Sequence, residues 1–67
     1  MDKFTVNGNT LDWQKDLTVR AVLKIMNYTF KMLIIKVNGE LIRKENYDTF
    51  TIPKGADVKV IHLIGGG

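Results

Sequence analysis

Few of the 67 residues carry side chains that could act on a substrate. There is one histidine, His62, and no cysteine. Without cysteine there is no thiolate nucleophile, disulfide, iron–sulfur ligand set or zinc finger. A single imidazole cannot make a histidine pair for a metal or a histidine–cysteine dyad. His62 falls in phase with Val58 and Val60, which places it at the edge of the core, partly buried. Asp12 and Asp16 flank a turn, and Glu40, Glu45 and Asp48 lie in polar sequence, so solvated carboxylates are expected rather than an acid–base pair. Trp13 has a ring suited to stacking on a base, but its phase with Phe4 assigns it to the core. No Gly-x-x-x-x-Gly-Lys-Ser/Thr sequence is present, so ATP phosphates are not held by that loop. What remains is the closing Gly65-Gly66-Gly67. Glycine reaches backbone conformations closed to other residues, so such a run can extend into a narrow site. It is equally what an idle end looks like.

Composition narrows the class. Hydrophobic residues make up 45% and charged residues 25%, the balance of a globular chain. At this length one thin core is expected. The formal charge of +3 is spread along the sequence with no basic block, so it points only weakly to nucleic acid. Met1-Asp2-Lys3-Phe4 lacks the layout of a signal peptide, and the apolar run at 32–35 is far short of the roughly 20 residues of a membrane span. The expectation is a soluble cytoplasmic domain with no nucleic-acid or membrane partner.

The elements that must position the glycine run follow from periodicity. Phe4, Val6, Leu11 and Trp13 alternate with polar residues around Asn7-Gly8-Asn9, the pattern of a β-hairpin. A turn at Gly8-Asn9 pairs Val6 with Leu11 and Phe4 with Trp13, and is preferred because a turn at Asn7-Gly8 sets Val6 against Asn9. Thr18 then caps a helix of about three turns with Val19, Val22, Leu23 and Met26 on its buried stripe, Leu17 as a staple and Asn27 as its stop. Arg20 and Lys24 fall on the wet side. Residues 33–37 read as a strand ending at Asn38-Gly39, and residues 41–42 as a short strand of undetermined register. Residues 44–48 are irregular, with Tyr47 reaching the core edge. Pro53 and Gly55 shape a turn before a last strand from Val58. One apolar helix stripe can cover only one sheet face. The uncovered face takes Ile34, Lys36, Lys59, Ile61 and Leu63, and exposed aliphatic residues among lysines there mark a partner-binding patch.

Several of these pieces, in this order, resemble the ThiS-type sulfur carriers of thiamine thiazole synthesis, within the ubiquitin-like β-grasp proteins. The likeness is carried by Phe4-Thr5-Val6-Asn7-Gly8, Thr18-Val19, Val37-Asn38-Gly39-Glu40 with Arg43, and Gly55-Ala56-Asp57-Val58 through His62-Leu63-Ile64-Gly65-Gly66-Gly67. It covers the whole chain. The resemblance implies an α+β fold, a mixed sheet of four to five strands with one helix on one face, over residues 1–64. Residues 65–67 would form a flexible tail.

The resemblance also implies a chemistry. The Gly67 carboxylate would be activated as an acyl adenylate, turned into a thiocarboxylate, and then give up its sulfur, with Gly65 and Gly66 as the extendable tail. The chain would be no enzyme and bind no cofactor. Its partners would be an adenylating enzyme of the ubiquitin-activating type, which uses ATP, a sulfur donor of the cysteine desulfurase or rhodanese type, and thiazole synthase. The small subunit of molybdopterin synthase shares fold, tail and chemistry. A ubiquitin-like modifier joined through Gly67 to lysines, and an RNA-binding β-grasp module with an idle tail, are the rivals from other classes.

Overall fold

A computed structural model describes residues 2–28 and 32–62. Strands β1 (Lys3–Val6) and β2 (Asn9–Asp12) precede helix α1 (Val19–Ile25). After it come β3 (Leu33–Val37), β4 (Glu40–Ile42), a 3-10 turn at Lys44–Asn46 and β5 (Asp57–His62). The five strands form one mixed sheet in the order β2-β1-β5-β3-β4. Only the central β1–β5 pair is parallel. The expected sheet with one helix is therefore present, with the full five strands.

The first hairpin differs from expectation. Its turn is Asn7-Gly8, and Phe4 faces Leu11 while Val6 faces Asn9. Asn7 (φ 51°) and Gly8 (φ 85°) both have the positive φ that a two-residue type I′ turn demands, and Asn-Gly supplies it at least strain. The same face is buried as in the expected register, but the pairing slides by two residues. Setting Val6 against Asn9 wastes nothing, because Val6 is buried and lies beside Val58 of β5, while β2 is an edge strand. Trp13 consequently lies beyond β2. It packs against the core, and its indole Nε1 donates to the Ile52 carbonyl at 2.7 Å.

The helix starts where expected. The Thr18 side chain accepts from the Ala21 amide at 3.2 Å, and Val19, Val22 and Leu23 are buried. Asn27 also stops it as expected, although Val19–Ile25 makes two turns rather than three. Asn27 adopts φ 58°, its amide bonds the Lys24 carbonyl, and the Tyr28 amide reaches back to Leu23. That is the Schellman arrangement, and it stops the helix at Met26, which is half-buried at the end of the stripe. Arg20 is not simply solvated. Its Nε donates to Asp48 at 3.0 Å and its guanidinium lies 5.5 Å from the Tyr47 ring centroid.

A second Asn-Gly turn, Asn38 (φ 51°) and Gly39 (φ 84°), sets the β3–β4 register left open by the pattern, placing Leu41 opposite Lys36. Tyr47 is buried. Thr51 bridges to Thr18, and the Ile52 amide donates to the Leu17 carbonyl, tying the loop to the helix start. Pro53 precedes the corners of the following turn, which are Lys54 and Gly55 (φ 76°), and its carbonyl accepts from the Ala56 amide. The core joins Phe4, Val6, Ile35, Val37, Ile42 and Val58 of the sheet to Val19, Val22 and Leu23 of α1, with Ile52 and Tyr47 closing the side.

Candidate docking face

The two faces of the sheet differ because each strand alternates. In β3, Ile35 and Val37 are buried under α1, and Lys36 between them is exposed. In β5, Val58 is buried and Val60 half-buried, while Lys59 and Ile61 point away from the helix and are exposed. The register sets Ile34 directly beside Ile61 and Lys36 directly beside Lys59. Four residues marked by period-two counting are thus neighbours on the helix-free face. Leu63, and the tail residues Gly65, Gly66 and Gly67, lie outside the described residues, as does the expected boundary between domain and tail.

Leu41 belongs to this face too, and periodicity alone missed it. It sits opposite Lys36 at the sheet edge and is 57% exposed; Ile61 is 45% exposed. The signal was present in Asn38-Gly39: a two-residue turn there obliges Lys36 and Leu41 to pair. The Lys59 ammonium has the Asp57 carboxylate at 3.7 Å along its own strand. Among the described residues no ion pair reaches Lys36.

The strand that leads to the tail is held on both flanks. The Asn7 carboxamide donates to the Val60 carbonyl at 3.1 Å and accepts from the Val60 amide at 2.8 Å. It thereby continues the parallel β1–β5 ladder after the β1 backbone has turned away. On the other flank Asn38 Oδ1 accepts from the Asp57 amide at 2.9 Å. β5 is thus anchored near its start and again two residues before His62.

The remaining chemistry-bearing side chains do not gather at this face. His62 keeps the phase of Val58 and Val60 but is exposed rather than partly buried. It is the last residue of β5, beyond the part of the strand the core covers. Asp12 pairs with Lys3, whose hydrogen bond and charge hold its carboxyl below the usual range. Asp48 is taken by Arg20, Glu45 lies 3.8 Å from Arg43, and Asp2 lies 3.5 Å from Lys54. Trp13 is occupied by the core and by Lys54, 5.5 Å from its ring centroid. Among the described residues no three His, Asp or Glu side chains come together to hold a metal, and no helix is long and apolar enough to cross a membrane.

Comparison with known proteins agrees over nearly the whole length. The model of the ThiS family matches residues 3–67. The sulfur carrier protein ThiS of Bacillus subtilis (strain 168) is 30% identical over 63 residues, covering 92% of this chain and 96% of that protein. A crystal structure of the thiamine biosynthesis protein ThiS from Geobacter metallireducens superposes with a TM-score of 0.78 at 26% identity, over 97% of this chain and 99% of that one. The sheet order and single helix are those of the ubiquitin-like β-grasp fold.

Proposed function

The chain belongs to the ThiS family of sulfur carriers, and from that membership we propose that it carries sulfur for thiamine thiazole formation as a thiocarboxylate on Gly67. The observation that carries this reading is the family match running unbroken through the three closing glycines. The Gly67 carboxylate attacks the α-phosphate of ATP on an adenylating enzyme of the ubiquitin-activating type, and pyrophosphate leaves. The persulfide sulfur of a desulfurase or rhodanese-type donor then attacks the carbonyl carbon and AMP leaves. A second thiol, from a partner protein or a small-molecule reductant, attacks the donor's sulfur in the resulting acyl disulfide, which frees the thiocarboxylate on Gly67 and leaves a disulfide on the donor.

Each part of the chain has a role suited to its chemistry. Gly67 has no Cβ to shield its carboxyl carbon, and Gly65 and Gly66 allow the tail to extend into a partner's site. The helix-free face, with Ile34, Lys36, Lys59 and Ile61, docks the partner, and Leu63 is assigned to the same contact from its phase in the sequence. ATP is the enzyme's substrate. The chain itself is a carrier and supplies no catalytic side chain.

Delivery of the sulfur tests the reading. The thiocarboxylate form, mixed with thiazole synthase and its remaining substrates, should return to the carboxylate as thiazole accumulates. The same form mixed with molybdopterin synthase large subunit and its precursor should keep its sulfur. Transfer only in the second mixture would assign the chain to molybdopterin formation instead.

A further inference from the structure

Val37-Asn38-Gly39 repeats Val6-Asn7-Gly8, and both Asn-Gly pairs form a two-residue turn with positive φ throughout. Asparagine before glycine is chemically labile, because a glycine nitrogen meets no side-chain bulk as it approaches the asparagine carboxamide carbon. Both pairs are exposed, and no atom lies within 4 Å of where a Cβ on Gly8 or Gly39 would project. Neither glycine amide is bonded to another group among the described residues. By local sequence and turn shape the two sites are equivalent. Their carboxamides are not. At Asn7 both ends are held, Nδ2 by the Val60 carbonyl at 3.1 Å and Oδ1 by the Val60 amide at 2.8 Å. At Asn38 only Oδ1 is held, by the Asp57 amide at 2.9 Å, and Nδ2 has no acceptor among the described residues.

Swinging the carboxamide carbon onto the glycine nitrogen costs two hydrogen bonds at Asn7 and one at Asn38. We propose that Asn38 is a self-modification site, deamidated in the folded protein by the Gly39 nitrogen with loosening of the β4 edge, whereas Val60 shields Asn7 from the same reaction. A solvent base takes the Gly39 amide proton, and the nitrogen bonds to Cγ of Asn38. The Cγ–Nδ2 bond breaks and Nδ2 leaves as ammonia. Water then opens the cyclic imide at either of its carbonyls. Opening at Cγ gives aspartate, and opening at the main-chain carbonyl gives the isoaspartyl linkage. Water enters, ammonia departs and nothing is oxidised. Aspartate keeps an oxygen for the Asp57 amide. The isoaspartyl product lengthens the main chain within the turn that sets Ile42 opposite Ile35, which pulls the edge strand β4 out of register. At Asn7 even plain aspartate would set an oxygen against the Val60 carbonyl, where Nδ2 now donates. The bonds that hold β5 thus protect the residue that makes them, independently of the carrier reading.

Peptide mapping by mass tests this on the whole chain, held folded in mildly alkaline buffer made with heavy-oxygen water so that each event leaves a labelled carboxylate. Asn38 should react about fivefold faster than Asn7, the factor that one hydrogen bond of ordinary strength sets. In urea neither carboxamide is held, and the two rates should converge, because both asparagines follow valine and precede glycine. The isoaspartyl fraction, separated from the rest, should exchange its β4 amides faster than unaged protein. Equal rates in the folded protein would mean that both sites react only through global unfolding, and would overturn the proposal. So would a faster Asn7, or a ratio that persists in urea. Retention of both amides in the folded protein while the urea sample loses them, or unchanged β4 exchange in the isoaspartyl fraction, would overturn it as well.

Discussion

Tyr47 shows how a single side chain ties the loop after β4 to the helix. Its ring is buried beneath the Arg20 guanidinium, and the Arg20 amide donates to its carbonyl at 2.8 Å. Burial raises the pKa of its phenol, and the nearby Arg20 charge opposes that shift without cancelling it. A raised pKa means the folded state holds the proton more firmly than the unfolded chain does. The associated stability is whole below the ordinary tyrosine range near pH 10, and is lost as pH climbs through the raised value. Denaturant melts of Tyr47→Phe should therefore show a shallower alkaline decline than wild type. An equally steep decline would mean Tyr47 ionises in the fold as freely as in the unfolded chain. At this scale the sequence was legible wherever chain phase decides burial, as for Phe4, Val19 and Ile35. His62 shows the limit: phase gives the direction of a side chain, but not how much of it the fold buries.

The Asn-Gly turns show the same limit at the scale of elements. Alternation of Phe4, Val6 and Leu11 specifies which face is buried, and a slide by two residues leaves that face unchanged. Only the φ demand of the turn distinguishes the two registers, and it favours Asn7-Gly8. The helix start was readable from Thr18, because a capping hydroxyl acts locally. Its stop at Asn27 was readable for the same reason, since asparagine tolerates the left-handed cap, and only the number of turns differs, two in Val19–Ile25 rather than three. Asn7 has a second role that no local pattern reveals, since Val60 lies far along the chain and meets it only in the folded sheet. Asn7→Gly keeps the positive φ and removes both bonds to Val60. It should destabilise the domain by roughly 1–3 kcal/mol, the sum expected for two hydrogen bonds. Hydrogen exchange should show Val60 among the amides that lose most protection. Unchanged protection at Val60 would show that the carboxamide is not what holds β5 there.

For the molecule as a whole, the division between its two faces carries the functional account. One helix covers one side of a five-stranded sheet, and the other side is left with aliphatic residues around two lysines. That division was legible in the sequence, because a chain with one amphipathic helix cannot cover both faces of its sheet. The strand order was not, since the parallel pairing of β1 with β5 joins the two ends of the domain and leaves no local trace. Nor could composition or spacing name the chemistry. The reactive group proposed here is a main-chain carboxylate, which every chain possesses, and its meaning comes from the family to which the chain belongs. The most direct test is the intact mass of the protein after incubation with ATP, the adenylating enzyme and a sulfur donor. The account predicts the gain that accompanies exchange of one oxygen for sulfur, placed on Gly67 by fragmentation and absent when Gly67 is deleted. An unchanged mass, with an enzyme that activates another carrier in the same mixture, or an equal gain after deletion of Gly67, would contradict it.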